Sequence, residues 1–145
     1  MKIFDATDAV AGRMAALTAH ELLKGEQIVI LNAEKAIITG PLERTVNVYF
    51  KRRLQQQKAD PEKSPSQGWS RRPDLLVRRM VRGMLPKNNA RGRDALRRLR
   101  VYLGTPREFD GKKTERPVKT IKDINTRYAT LQDVCKGLGW NPYTA

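Results

Sequence analysis

Cysteine and histidine are almost missing from this chain of 145 residues: Cys135 is the only cysteine and His20 the only histidine. One cysteine excludes an intramolecular disulfide, and the two residues together leave a structural zinc site almost without ligands. Cys135 therefore reads as a small apolar residue on a C-terminal helix. His20 has no second His, Cys or carboxylate at ligand spacing on its face, so it reads as a surface or RNA-contacting residue and not as a metal ligand or base. Aromatic residues make up only 6%. A base-stacking sheet needs exposed Phe or Tyr at adjacent strand positions, and Tyr102 alone does not supply it. Long apolar runs are absent too, since no segment approaches the ~20 residues of a membrane span. MKIFDATDAV puts an acid where a secretory signal needs an apolar stretch. The expected location is the cytoplasm, away from any membrane.

Acidic residues are the other scarcity. Between Arg44 and Arg100 lie 17 of the 29 Lys and Arg residues, against only Asp60, Glu62, Asp74 and Asp94. A solvated surface normally mixes both signs, and a domain of net charge +14 repels itself unless a polyanion neutralises it. Nucleic acid is the expected neutraliser. The length suits one domain with a real core, and a hydrophobic content of 39% is low but sufficient for it.

The first forty residues read as strand, helix, strand. Lys2 to Ala6 is a short strand candidate, Thr7 or Asp8 can cap the first helix, and Val10 to Lys24 forms that helix, ending at Gly25. Gln27 to Leu31 has the unbroken apolar run of a buried strand, and Ala36 to Thr39 is a further short one. On the first helix Arg13, His20 and Lys24 form one exposed stripe opposite a broad apolar arc. A second helix begins around Gly40 and Pro41, with Leu42, Val46, Tyr49 and Arg53 on its packing side and Phe50 beside it, Arg44 and Lys51 on the opposite face and Arg52 flanking them. Gln55 to Ser70, low in hydrophobicity and holding two prolines, reads as a loop or mobile arm.

In PDLLVRRMVRGMLP, Leu76, Val77, Met80, Val81 and Met84 fill one half of the helical wheel, and Arg78, Arg79 and Arg82 the other. These arginines have no acid three or four residues ahead of them, so intrahelical pairing does not account for them. Arg71 and Arg72 precede the helix. Lys87, Arg91 and Arg93 then fall in a Gly- and Asn-containing connection, and Ala95, Leu96 and Leu99 anchor a short helix from which Arg97 and Arg98 project. Val101 to Leu103 reads as a strand, and GTPREFDGKKTERP as an exposed connection. Thr130 and Asp133 resemble a capping box with Asp at its third position, opening a helix that packs through Leu131, Val134 and Leu138 and closes at Gly139 and Trp140. The expected RNA-binding set is Arg13, Lys24, Arg44, Lys51, Arg52, Arg71, Arg72, Arg78, Arg79, Arg82, Lys87, Arg91, Arg93, Arg97 and Arg98, with arginine forks matched to phosphate oxygens.

An enzyme is the competing class, because a strand, loop and helix invite a nucleotide site at DATDAVAGR. That turn has only Gly12, which suits close packing or helix entry, and neither the Rossmann nor the Walker loop pattern occurs there. Asp5, Asp8, His20 and Cys135 form no recognisable acid–base pair or triad. No catalytic residue, cofactor, metal or small-molecule substrate is therefore expected. VRRMVRG also lacks the Gln and Asn base readers usual on a DNA-recognition helix.

GRMAALTAHELLKGEQIVILNAEKAIITG, RRPDLLVRRMVRGMLPKNNARGRDALRRLRVYLGTP and the terminal GLGW resemble the large-subunit ribosomal protein family L thirteen, in its archaeal and eukaryotic branch. The resemblance covers most of the chain. It implies a three-layer α/β/α domain with a small, mostly parallel four-stranded sheet. It also implies ribosomal RNA of the large subunit and neighbouring ribosomal proteins as partners, and a structural role in subunit assembly and translation. A regulatory RNA-binding protein outside the ribosome would present the same surface. The QQQKADPEKSPSQG segment departs from the branch's expected pattern.

Overall fold

The computed structural model describes residues 1–54, 70–86, 88–116 and 125–142. Lys87 and nearly all of the Gln55–Ser70 arm lie outside them. The centre is a parallel sheet of three short strands, β1 (Lys2–Asp5), β2 (Ile28–Leu31) and β4 (Leu99–Val101), in the order β1-β2-β4. Ile28 pairs with both Lys2 and Leu99. All four residues of β2 are buried, as a strand covered on both faces requires.

Alternation along the strands divides the core in two. Phe4, Ile28, Ile30 and Leu99 join Met14, Leu22, Leu76, Val77 and Val81 from helices α1 (Ala11–Leu23) and α3 (Pro73–Met84). On the opposite face Ile3, Val29 and Leu31 are covered by Phe109, which sits in a 3-10 turn at Arg107–Phe109 and meets Tyr102 at a ring-centroid distance of 5.7 Å. Each fully buried Leu or Val side chain contributes about 1.5–3 kcal/mol. The segment expected to be a wholly exposed connection thus supplies the lid of the sheet's second face.

The α/β class agrees with expectation, and the strand count needs correction. Among the described residues the fourth strand is reduced to one bridge, Glu115 against Phe4, held by Glu115 N–H to Ile3 O at 2.8 Å and Asp5 N–H to Glu115 O at 3.1 Å. β3 (Ile37–Thr39) does not join this sheet. It pairs antiparallel with β5 (Tyr128–Thr130) in a separate ribbon beside α2 (Leu42–Leu54) and α5 (Leu131–Gly137).

The C-terminal helix follows its sequence signals closely. Thr130 Oγ1 accepts from Asp133 N–H at 3.1 Å and donates to the Asp133 carboxylate at 2.6 Å. At the other end Gly139, with φ of 88°, lets its own N–H reach Lys136 O and Trp140 N–H reach Cys135 O, both at 2.9 Å. That is a Schellman stop, and it explains the glycine of GLGW.

Other boundaries move. Thr7 and Asp8 do not cap α1. Its N-cap is Val10, while Thr7 Oγ1 donates to Asp5 and Asp8 has φ of 58°. Gly12 has open space where a side chain would stand, so it serves no close packing. α4 (Ala90–Arg97) begins earlier than expected, which puts Arg91 and Arg93 on a helix, and β4 begins at Leu99, not Val101. Gly92 explains the early start. A Cβ there would lie 1.9 Å from Pro86 O, so only glycine lets α4 pack on the preceding turn. Leu42, Phe50 and Met84, expected on or beside packing faces, are exposed at 42%, 51% and 45%. They lie at helix ends or beside the buried arc of Thr45 and Tyr49, where the apolar stripe is wider than the surface it meets.

Candidate nucleic-acid interface

Two rows of basic residues come from α3 and α4. On α3 the core takes Leu76, Val77 and Val81, which turns Arg78 and Arg82 to solvent and leaves Arg79 half-buried. Burial, and after it the charge of Arg82, lower the pKa of Arg79, yet a guanidinium remains charged at any working pH. The acid four residues before Arg78 is Asp74, and Arg72 already holds it through contacts of 3.2 and 2.9 Å.

The arginines of α4 divide. Arg93 and Arg97 are exposed, and among the described residues Arg97 reaches only Asp94, at 3.3 Å. Such surface pairs contribute ~0–1 kcal/mol and yield readily to a stronger anion. Arg91 and Arg98 turn towards the protein. Arg91 donates to Leu23 O at 3.2 Å, and Arg98 donates to Leu22 O at 2.9 Å. They supply donors and positive charge to the carbonyl end of α1, where the helix dipole is negative. Arg98 is half-buried, and its Nε is buried without a hydrogen-bond partner among the described residues. The expectation that Arg98 projects from the helix is therefore corrected.

The same end of α1 holds Glu21. Hydrogen bonds from Lys2 and Lys24 push its carboxyl pKa down to about 2, against the opposing effect of burial. Lys24 is exposed but shares its charge with Glu21 at 2.8 Å. Arg13 is exposed on the same stripe of α1. On α2, Arg44, Lys51 and Arg52 are exposed, and the Arg52 guanidinium lies 5.6 Å from the centre of the Tyr49 ring. Arg71 is exposed, with its guanidinium against Gly139 at the end of α5.

Arg78, Arg79 and Arg82 gather around a depression of about 310 Å³ that is also lined by Ser70, Leu75 and Leu96. A second depression of about 420 Å³ is lined by Asp74, Leu75, Arg78, Arg100, Val101 and Tyr102. Arg100 was absent from the expected set. Its signal was present in the sequence, because Leu99 and Val101 flank it in a strand and alternation turns it away from their side. Arg13, Arg44, Lys51 and Arg52 lie on other elements and do not line either depression.

Acid–base groups are scarce here. Burial pushes the Cys135 thiol up to about 12, with a smaller contribution from Asp74. At Asp5 burial opposes ionisation, but hydrogen bonds from Asn32 and Thr7 outweigh it and keep the carboxyl below its ordinary value. No cluster of three or more metal-ligating side chains occurs among the described residues. The chemistry this surface offers is that of many guanidiniums and few partners.

The family model described as Ribosomal protein L13 matches residues 1–108. Large ribosomal subunit protein uL13 of Methanopyrus kandleri is 42% identical over 143 residues, covering 95% of this chain and 86% of the relative. The protein of the same name from Methanocaldococcus jannaschii is 36% identical over 140 residues, covering 96% of this chain and 98% of the relative. For Haloarcula marismortui the identity is 37% over 139 residues, with 96% and 91% covered. Likeness of that extent, running through both basic helices and the sheet beneath them, makes this chain a member of the ribosomal protein L13 family.

Proposed function

We propose that this chain is a structural constituent of the large ribosomal subunit, binds ribosomal RNA through its arginine surface and carries out no chemistry. The observation that carries the reading is the pairing of membership in this family with a basic face whose few acids are already engaged. Neighbouring ribosomal proteins are its other partners, and the ribosome in the cytoplasm is its place of work. The whole of residues 1–145 acts as one ribosomal-protein domain in this reading.

The mechanism is electrostatic and steric. The α/β core fixes α3 and α4, so their guanidiniums meet phosphates without first paying the entropy of ordering a disordered segment. Arg44, Lys51, Arg71, Arg78, Arg82, Arg93, Arg97 and Arg100 are all exposed, and the surface pair of Arg97 with Asp94 yields readily to a phosphate. Lys24, Arg52, Arg72, Arg79 and Arg91 are supporting contacts, since each is partly covered or already lies against a protein group, and Arg13 is one because it stands alone on α1. Lys87 belongs to the proposed set by its sequence position.

If each of those eight exposed cations neutralises one phosphate, the slope of log affinity against log salt is on the order of −6 to −7. The test is titration of the full chain with large-subunit RNA at several salt concentrations, together with cosedimentation with large-subunit particles. Steep salt dependence and stoichiometric cosedimentation support the reading. An affinity flat in salt contradicts it.

A further inference from the structure

The two depressions on the outer side of α3 share Leu75 and Arg78, and the larger-volume one forms a groove bounded by α3 on one side and β4 on the other. Among the described residues β4 is an edge strand. Its ladder to β2 uses the peptide groups of Arg98 and Tyr102, through Ile28 N–H to Arg98 O at 3.2 Å and Tyr102 N–H to Ile30 O at 2.9 Å. Parallel pairing in this register turns the N–H and C=O of Val101 away from β2, and Val101 lines the groove. The wall thus offers one backbone donor and one acceptor side by side.

We propose that this groove is a pocket for a single unpaired nucleotide of the bound RNA. The proposal rests on the RNA-binding reading above and adds to it a site for a base. Leu75 is 42% exposed on an otherwise arginine-rich face and lines both depressions, which puts an apolar surface between the guanidiniums. Val101 extends that surface across the groove, while Tyr102 stands at its rim with its ring against Phe109 on the far face of the sheet. An extruded base fits these walls: a flat apolar face lies against Leu75 and Val101, and its polar edge meets the Val101 peptide. Arg78 and Arg100 stand on opposite sides to receive the flanking phosphates. A volume of about 420 Å³ falls within the roughly 300–1,000 Å³ of small-ligand sites. The competing occupant is an extended acidic peptide added to the edge of β4. An edge of three residues is a short template for a strand, and arginines at its rim suit an anion with a planar apolar part better than a peptide backbone.

The test uses the full chain and large-subunit RNA carrying 4-thiouridine. After irradiation and tryptic digestion, the expected result is nucleotide adducts on the peptides that contain Leu75 and Val101. Leu75 is exposed, so Leu75→Ala keeps the fold, checked by circular dichroism, and removes the adduct. The same substitution weakens affinity for the crosslinked RNA fragment by roughly fivefold, the lower end of the range for a base losing an aromatic platform, since leucine gives apolar contact without a ring. An abasic residue at the crosslinked position weakens the wild-type protein by a similar factor and leaves Leu75→Ala unchanged. Retained RNA binding with adducts elsewhere overturns the pocket and leaves the RNA reading standing. Failure to bind RNA at all overturns both. Protein crosslinks to the β4 edge in intact particles, with no nucleotide adduct, overturn the pocket in favour of the peptide.

Discussion

Arg97 and Arg98 are adjacent in sequence and opposite in use. Arg97 stands in solvent at the end of α4 with one exposed carboxylate near it, whereas Arg98 turns inward and binds the last turn of α1. A milder form of the split recurs between Arg93 and Arg91, both exposed, where Arg91 donates to the end of α1 at Leu23 O. Charge alone does not distinguish the members of either pair. What separates them is whether a helix end lies within reach of the guanidinium, and so a basic protein's arginine count sets an upper limit on its nucleic-acid contacts.

The contrast between inward and outward positions breaks most severely at α3. Val77 is fully buried beside the exposed Arg78. Val77→Asp should cost on the order of 4–5 kcal/mol and unfold much of the population at physiological temperature, visible in a thermal melt. Arg78→Glu combined with Arg82→Glu should leave the melt within a few degrees of wild type while greatly weakening RNA binding. Equal loss of stability in the two proteins would mean that the faces are wrongly assigned.

Gly92→Ala should be the next largest. The added methyl would stand 1.9 Å from the Pro86 carbonyl oxygen, a backbone atom, so the turn must shift at a cost of about 4 kcal/mol, above the usual ~1–3 for overpacking and offset only in part by the ~1 kcal/mol that Ala gains over Gly in a helix. Net stabilisation would show that α4 moves aside freely. Arg98→Ala should remove about 1.5–3 kcal/mol, the usual range for a hydrogen bond to a charged donor, and leave the salt slope of RNA binding unaltered. Arg97→Ala should do the reverse, with an unchanged melt and a slope shallower by ~0.7–0.9.

The smallest effect concerns the carboxylate at the end of α1, whose lysine partners are open to solvent and so screened. Glu21 has its pKa lowered to about 2 from the ordinary 4.5. A lowered carboxyl pKa contributes stability that is fully present above the unfolded-state value and is lost as pH falls through the folded one. Denaturant melts of wild type should therefore weaken from pH 4.5 towards pH 2 by more than those of Glu21→Gln. Parallel curves would remove Glu21 from the α1 end as an anchor.

Much of the fold was legible wherever one strong local signal acted alone. The apolar run at Ile28–Leu31, the stop at Gly25, the division of α3 and the Thr130–Asp133 cap all stand as the sequence suggests. The difficulties lay where tertiary contact overrides propensity. ARGRDALR contains a glycine and four charged residues, a weak prospect for a helix until Gly92 is seen to admit the Pro86 carbonyl. Phe109 looked like part of a solvated connection because nothing local says that a sheet face lies open beside it. The basic character of the candidate site was plain from composition. Which arginines face outward was not, since that depends on where the end of α1 falls relative to α4, seventy or so residues later in the chain.

Cys135 carries a consequence of its own. The thiol is fully buried in α5, and burial keeps it protonated far above neutral pH, so an alkylating reagent finds neither access nor thiolate in the native fold. Because it is the chain's only cysteine, every modification event reports one opening of the region around α5. The natural sequence therefore contains its own clock for native-state breathing. The pace of that clock, with and without bound RNA, measures how far the bound state restrains a helix that lines neither depression of the arginine surface.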